Sequence, residues 1–239
     1  MERLSTEKYQ KDLSRAIQHF WKMRETQFDK QKKLDQGLRG SVTGAKQLDG
    51  FIQLLVHVSK DLGVPEECIY VKGNSLPGFF RPTKEWDFLI INPKNQLVAV
   101  VELKSQVGSF GNNFNNRTEE AIGSAVDFWT AFRENSFPQK QQPWLGFVIL
   151  VEQTSKSTSK VRLQEQHFEA RAEFQNTSYL DRYALLCQKL MQERHYSSTA
   201  IIWTDHQMNF GYPSEEISFD TFLLSFMGFV QGKLKSFQK

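Results

Sequence analysis

The run Glu85-Trp86-Asp87-Phe88-Leu89-Ile90-Ile91-Asn92-Pro93-Lys94-Asn95-Gln96-Leu97-Val98-Ala99-Val100-Val101-Glu102-Leu103-Lys104 decides how this chain is read. Two apolar, β-rich stretches, Phe88 to Ile91 and Leu97 to Val101, flank the turn-forming Asn92-Pro93-Lys94-Asn95, the pattern of a hairpin. With the turn centred between Lys94 and Asn95, Asp87 falls opposite Glu102. Directly opposed residues have Cβ atoms roughly 4.5–5.5 Å apart, close enough for two carboxylates to share a hard cation. Glu102 and Lys104, two apart on one strand, point to the same face. The spacing therefore brings two carboxylates and one ammonium to one spot.

A strand apolar on both faces sits in a sheet interior, so ending it in Glu-x-Lys sets charge beside a core. Desolvating an ion costs several kcal/mol, offset only by an opposite charge, hydrogen bonds or a metal. In a bland reading Glu102 and Lys104 are an ion pair at a strand end and Asp87 is a turn-side acid. In the functional reading Asp87 and Glu102 hold Mg²⁺ together with the main-chain carbonyl of Leu103, and substrate phosphate oxygens complete the shell. Lys104 then orients a water and stabilises charge on the phosphate, giving hydrolysis without a covalent intermediate. Asp49 is a candidate third acid, against the alternative of a first-turn aspartate favoured by the helix dipole.

Three segments carry a resemblance: Leu76-Pro77-Gly78-Phe79-Phe80-Arg81-Pro82-Thr83-Lys84-Glu85-Trp86-Asp87, Val101-Glu102-Leu103-Lys104-Ser105, and the run from Phe110 to Gly123. With them the chain resembles the PD-(D/E)xK nuclease superfamily, and more closely the XhoI-type restriction endonucleases. The likeness extends more weakly to Leu48-Asp49-Gly50-Phe51 and to Tyr183 through Leu190, covering most of residues 44–196. It departs in two places: Trp86 stands where the superfamily has proline before its first acid, and the Gln106 to Phe110 loop is one residue short. The resemblance implies an α/β, restriction-endonuclease-like fold, a mixed central sheet flanked by helices with an active-site hairpin. It also implies a homodimeric type II enzyme that cuts double-stranded DNA with Mg²⁺ at a palindrome, CTCGAG, after the first C to leave 5′ overhangs. A cognate DNA methyltransferase would protect the host.

At 239 residues the chain is long enough for one α/β domain with a sizeable core. The expected division is an N-terminal helical extension at 1–43, a catalytic core at 44–210 and a C-terminal helix at 211–239. A net charge of +3 neither supports nor excludes DNA binding, which needs a local positive surface more than a large total. Cys68 and Cys187 have no partner spacing for a zinc site or disulfide framework and fit a reducing cytoplasm. No apolar signal core follows Met1 and no run reaches the ~18 apolar residues of a membrane span, so a cytoplasmic protein without membrane contact is expected. Twenty Phe exclude a disordered chain.

Along the chain, helical spacing of Tyr9, Leu13, Ile17, Phe20 and Trp21 predicts a helix over 5–24, followed by a charged stretch in which Lys30, Lys32, Lys33 and Arg39 can meet phosphates or simply face solvent. A second helix is expected over 44–62, a strand at 68–72, and a Pro/Gly loop over 74–83. Arg81 and Lys84, with Lys72, can clamp phosphates there or be exposed loop charges. Gln106, Asn112, Asn113, Asn115 and Asn116 read as an amide-rich loop suited to adenine edges, and Arg117 is suited to guanine, though an Asn/Gly loop is also what a turn looks like. Thr118 is the expected N-cap of a helix over 119–133 with Ile122, Ala125, Val126, Trp129 and Phe132 buried. Glu119 and Glu120 complement its N-terminus or orient the site. A buried strand over 144–151, a mobile Ser/Thr/Lys-rich loop over 153–166 able to wrap DNA through Lys156, Lys160 and Arg162, a helix over 179–194, a final strand over 200–203 and a helix over 219–234 complete the reading. The five histidines show no metal spacing.

Two competing functions share these residues. One is a structure-selective repair or recombination nuclease of the same superfamily; the other is a DNA-binding module in which the Glu102/Lys104 pair is structural.

Overall fold

The computed structural model describes residues 4–33, 45–165 and 167–238, with side chains described outside 27–33 and 45. Arg39 lies outside the described residues, as do the side chains of Lys30, Lys32 and Lys33.

The centre is the expected hairpin. β4 (Phe88–Ile91) pairs antiparallel with β5 (Leu97–Gln106) in the register Phe88↔Val101, Leu89↔Val100, Ile90↔Ala99. One residue further out this register sets Asp87 opposite Glu102, as the turn position requires. A bulge between Ile90 and Ile91 shifts the pairing to Ile91↔Leu97, so the irregularity is confined to the turn end. Strands β6 (Trp144–Glu152) and β7 (Ser198–Thr204) follow in parallel, and β1 (Ile69–Tyr70) and β8 (Phe210–Gly211) close the edges antiparallel. The sheet order is β1-β4-β5-β6-β7-β8, a mixed sheet, and β8 is a strand the sequence did not announce.

Both faces are covered, which is why β6 reads as an unbroken apolar run, buried along its whole length. On one face lie α1 (Gln10–Lys33), α2 (Asp49–Asp61) and α6 (Phe219–Lys233), burying Trp21, Phe51, Leu55, Phe222 and Phe226 against Phe88, Val101 and Leu103. The other face carries α3 (Phe110–Arg133) and α5 (Tyr179–Gln192), with Ala121, Ala125, Phe128 and Tyr183 against Val100, Phe147 and Ile149. Because residues alternate along β5, and Val101 and Leu103 face the first layer, Glu102 and Lys104 point to the second. Among the described residues no helix is long and apolar enough to cross a membrane.

The structure corrects four expectations. The Pro/Gly loop over 74–83 contains a second hairpin, β2 (Ser75–Pro77) with β3 (Thr83–Glu85), paired as Leu76↔Lys84. Its three-residue strands are too short and too polar to show a period. The amide-rich segment is not a loop: β5 runs on to Gln106 and α3 begins at Phe110, well ahead of Thr118. Gly108 and Ser109 make the turn with φ of +61° and +44°, and the rings of buried Phe110 and half-buried Phe114, one helical turn apart, stack on Tyr179 and meet Tyr183 edge-on. That packing overrides the weak helix propensity of four asparagines. The face of α3 that is buried consists of Ala121, Ser124, Ala125, Asp127, Phe128 and Ala131, leaving Ile122 exposed. Small alanines let the helix approach the sheet closely, which the larger residues of the expected stripe would not.

The expected loop over 153–166 is the fourth case, since its described residues 154–161 are held by a helical turn and backbone hydrogen bonds. It carries α4 (Ser155–Thr158), closed by a capping box from Thr154, and Val161 is tied at both backbone groups, its N–H donating to Thr177 O (2.8 Å) and its carbonyl accepting from Arg182 (3.1 Å).

Candidate active site

β4 begins one residue after Asp87, while β5 continues past the level of that residue, and this offset makes the site. Asp87 N–H still donates to Val101 O (3.2 Å), and the Leu103 N–H, which has no strand opposite it, donates to Asp87 Oδ2 at 2.7 Å. In an extended strand a residue's N–H and C=O point to the same side, so the Leu103 carbonyl also faces the gap beside Asp87.

Glu102 lies in the same gap, almost fully buried, with Lys84 Nζ on Oε2 at 2.8 Å and Lys104 Nζ on Oε1. Lys104 comes from β5 itself. Lys84 comes from β3, where it also donates to Glu85 O (3.0 Å) and stands over the Trp86 ring, 4.3 Å from its centroid. The second hairpin thus delivers a cation that the sequence assigned to DNA phosphates.

The balance of charge is uneven. Burial, then the nearby negative charge of Glu102, push the Asp87 carboxyl up from 3.8 to about 6, and the single Leu103 N–H and the two lysines only partly oppose this. Burial would by itself lower the Lys104 ammonium, but the charge and hydrogen bond of Glu102 more than offset it and hold it above its ordinary 10.5. Glu120 on α3, one of the two acids read as complementing the helix N-terminus or orienting the site, adds to that field.

A second buried carboxylate, Asp127 of α3, organises the neighbouring hairpin tip. Its Oδ1 accepts from the N–H groups of Phe79 and Phe80 (2.8 Å each) and its Oδ2 from Arg81 Nε (2.7 Å). Gly78 is required beside it, since a Cβ there would stand 2.6 Å from Arg81 O and 2.7 Å from Asp127 Oδ2. Burial acts to raise the Asp127 carboxyl, yet these hydrogen bonds hold it below 3.8. Sequence reading missed Asp127 because it fell off the expected apolar stripe; an acid inside the true Ala121/Ala125/Phe128 stripe was the available signal.

The other sequence candidates scatter. Asn112, Asn115 and Asn116 share the exposed face of α3 at i, i+3, i+4 spacing, and Asn113 is half-buried on the adjoining side. Arg117 pairs with Glu120 at 2.5 Å. Gln106 is buried, its Nε2 donating to Gly108 O at 2.6 Å, so it shapes the turn into α3 instead of facing outward. Asp49 is exposed and lines a groove with Asp12, Arg15, His19 and His57 on the helices of the opposite layer, and the structure does not bring it to Asp87 and Glu102. Lys156, Lys160 and Arg162 line a groove of about 600 Å³ with Ser109, Gly111 and Asn112 at the start of α3. Among the described residues no three His, Cys, Asp or Glu side chains form a metal cluster. Two carboxylates with a main-chain carbonyl beside them are nonetheless a donor set for a hard cation that keeps waters and takes phosphate oxygens.

A family model described as restriction endonuclease XhoI matches residues 27–214. Similar proteins include the type II restriction enzyme BstVI of Geobacillus stearothermophilus, 46% identical over 179 residues (72% of this chain and 80% of that one). The type II restriction enzyme XhoI of Xanthomonas vasicola is 43% identical over 181 residues, covering 74% and 73%, and AbrI of Azospirillum brasilense 44% over 166, covering 67% and 74%. No solved structure matches.

Proposed function

The chain belongs to the XhoI restriction endonuclease family, a family of type II site-specific deoxyribonucleases, and from that premise we propose that it is a Mg²⁺-dependent enzyme cutting double-stranded DNA at the palindrome CTCGAG, after the first C, to leave 5′ overhangs. The observation that carries the metal dependence is the Asp87 carboxyl: it is opposed to Glu102 across a strand pair, under-supplied with hydrogen bonds and pushed up to about 6. A carboxylate in that state gains from a cation. Asp87, Glu102 and the Leu103 carbonyl would hold Mg²⁺, which when bound polarises the phosphoryl group and acidifies water.

The chain's own residues do the remainder. Lys104 releases Glu102, positions the attacking water and stabilises the charge that develops on the phosphate. Lys84, on the other oxygen of Glu102, is set to transfer to a phosphate oxygen once the carboxylate is occupied. Asn112, Asn115 and Asn116 present amides along one helix face, the geometry in which a helix reads base edges in the major groove, with Arg117 and Asn113 beside them. Arg81 contacts backbone. A palindromic target calls for a two-fold homodimer, working in the cytoplasm beside a methyltransferase that protects host DNA.

The test is to digest DNA of known sequence with Mg²⁺ and map the ends. Discrete fragments with 5′ overhangs at CTCGAG support the reading; fragments at another palindrome would correct the specificity alone. A smear would favour a structure-selective nuclease, and no cutting at all a binding module.

A further inference from the structure

The tip of the β2–β3 hairpin exposes two aromatic rings, Phe79 at 50% and Phe80 at 70% of their surface, in edge contact with centroids 4.9 Å apart. A single exposed apolar side chain needs no explanation, but both members of this pair sit on backbone hydrogen-bonded to a buried side chain. Both N–H groups are held by buried Asp127, Arg81 closes the other carboxylate oxygen, and Gly78 leaves no room for a side chain. Holding two Phe rings in water forgoes the stabilisation that their burial would give. A fold that anchors the loop so firmly and leaves the rings out has a use for them outside the molecule.

The hairpin's other end is the catalytic group. Lys84, four residues from Phe80, grips Glu102, and the chain runs through Trp86 directly into Asp87. At about 3.3 Å per extended residue the four-residue span from Phe80 to Lys84 covers at most ~13 Å, about four base-pair steps along a duplex. Arg81, with 44% of its side chain exposed, flanks them with positive charge. Were the tip instead to meet its own copy across a two-fold axis, it would bring two such guanidiniums together. Resting on the nuclease reading above, we propose that Phe79 and Phe80 form an aromatic wedge that enters the bound duplex at a base step within about four pairs of the cleaved phosphate and unstacks it, with Asp127 as the positioning residue that holds the wedge in place.

Apolar wedges of this kind work by unstacking a step to gain contact with deformed DNA. The test uses the full-length protein and a duplex bearing the site that the wild type cuts, with 2-aminopurine or pyrrolocytosine placed at successive positions and Ca²⁺ replacing Mg²⁺. Wild type should brighten the probe several-fold at one step, and the double variant Phe79→Ala/Phe80→Ala should not. In Mg²⁺ the double variant should lose about 10- to 100-fold in kcat/KM, and an abasic site at the brightened step should return it to within about threefold, because the unstacking is then already done. Phe80→Trp should retain both signals. The wedge is overturned if wild type cuts but no probe brightens, or if the double variant cuts intact duplex within twofold of wild type. It is equally overturned if the double variant sediments as a monomer where wild type is a dimer and the abasic duplex restores nothing, which would make the rings a subunit contact. Failure of wild type to cut any duplex would instead sink the nuclease reading and the wedge with it.

Discussion

Two carboxylates flank the β2–β3 hairpin, Asp127 buried and Asp87 half-buried, and they are treated oppositely. Asp127 receives two backbone N–H groups and a guanidinium, and its carboxyl is held below 3.8; Asp87 receives one backbone N–H, faces another carboxylate, and rises to about 6. A carboxylate with its full complement of donors is part of the framework, because nothing further can bind it favourably. One left short in a low-dielectric gap is a site waiting for positive charge. Sequence distance does not separate the two, since both are single aspartates beside apolar residues; the count of converging donors does.

The largest effect should fall on the under-supplied site. Asp87→Ala and Lys104→Ala are each expected to lower the cleavage rate by at least ~10³-fold while a mobility shift still shows specific binding in Ca²⁺. Unimpaired cutting by either variant would erase the contrast. For Asp127 the damage should appear in stability, with Asp127→Ala lowering the unfolding free energy by about 3 kcal/mol in urea titrations, because two N–H groups and a guanidinium lose their acceptor. A loss under ~0.5 kcal/mol would show that the hairpin tip does not depend on it.

The pH dependence has a definite sign. Asp87 is raised in the folded protein, so the native state binds more protons than the unfolded chain between about pH 4 and 6, and the stability of the metal-free protein falls as pH rises through that window. At pH 7 the full penalty is present, and Asp87→Asn should stabilise the metal-free protein by about 2 kcal/mol, with little effect below pH 4. Metal affinity runs the other way, weakening toward tenfold per unit as pH drops below about 6, because the ligand must be ionised. Isothermal titration with Mg²⁺ or Ca²⁺ at pH 5, 6 and 7 checks it. The smallest change is expected for Asp49→Asn: this exposed residue on the opposite layer should alter cleavage by less than about threefold, and a larger loss would restore it as a ligand.

Much of the site was legible. The distance from Asp87 to Glu102 and the position of Asn92-Pro93 dictate their opposition, and the structure adds only a bulge at Ile90/Ile91 that leaves the acid end in step. Three other points were hidden. Lys84 reaches Glu102 because a second, three-residue hairpin folds back over the first; Asn112, Asn115 and Asn116 share a helix face because Phe110 and Phe114 dock on Tyr179 and Tyr183; and Asp127 faces inward because alanines set the helix close to the sheet.

What the sequence by itself determined is the hairpin, its register and the pairing of acid, acid and amine, because strand periodicity and a turn are local and a two-residue repeat leaves little freedom in which side chains share a face. Tertiary structure alone decided which cations and amides join them and which carboxylate is left wanting charge. Those outcomes depend on donors delivered from segments distant in the chain, and burial sets their strength only once the layers have closed over the sheet.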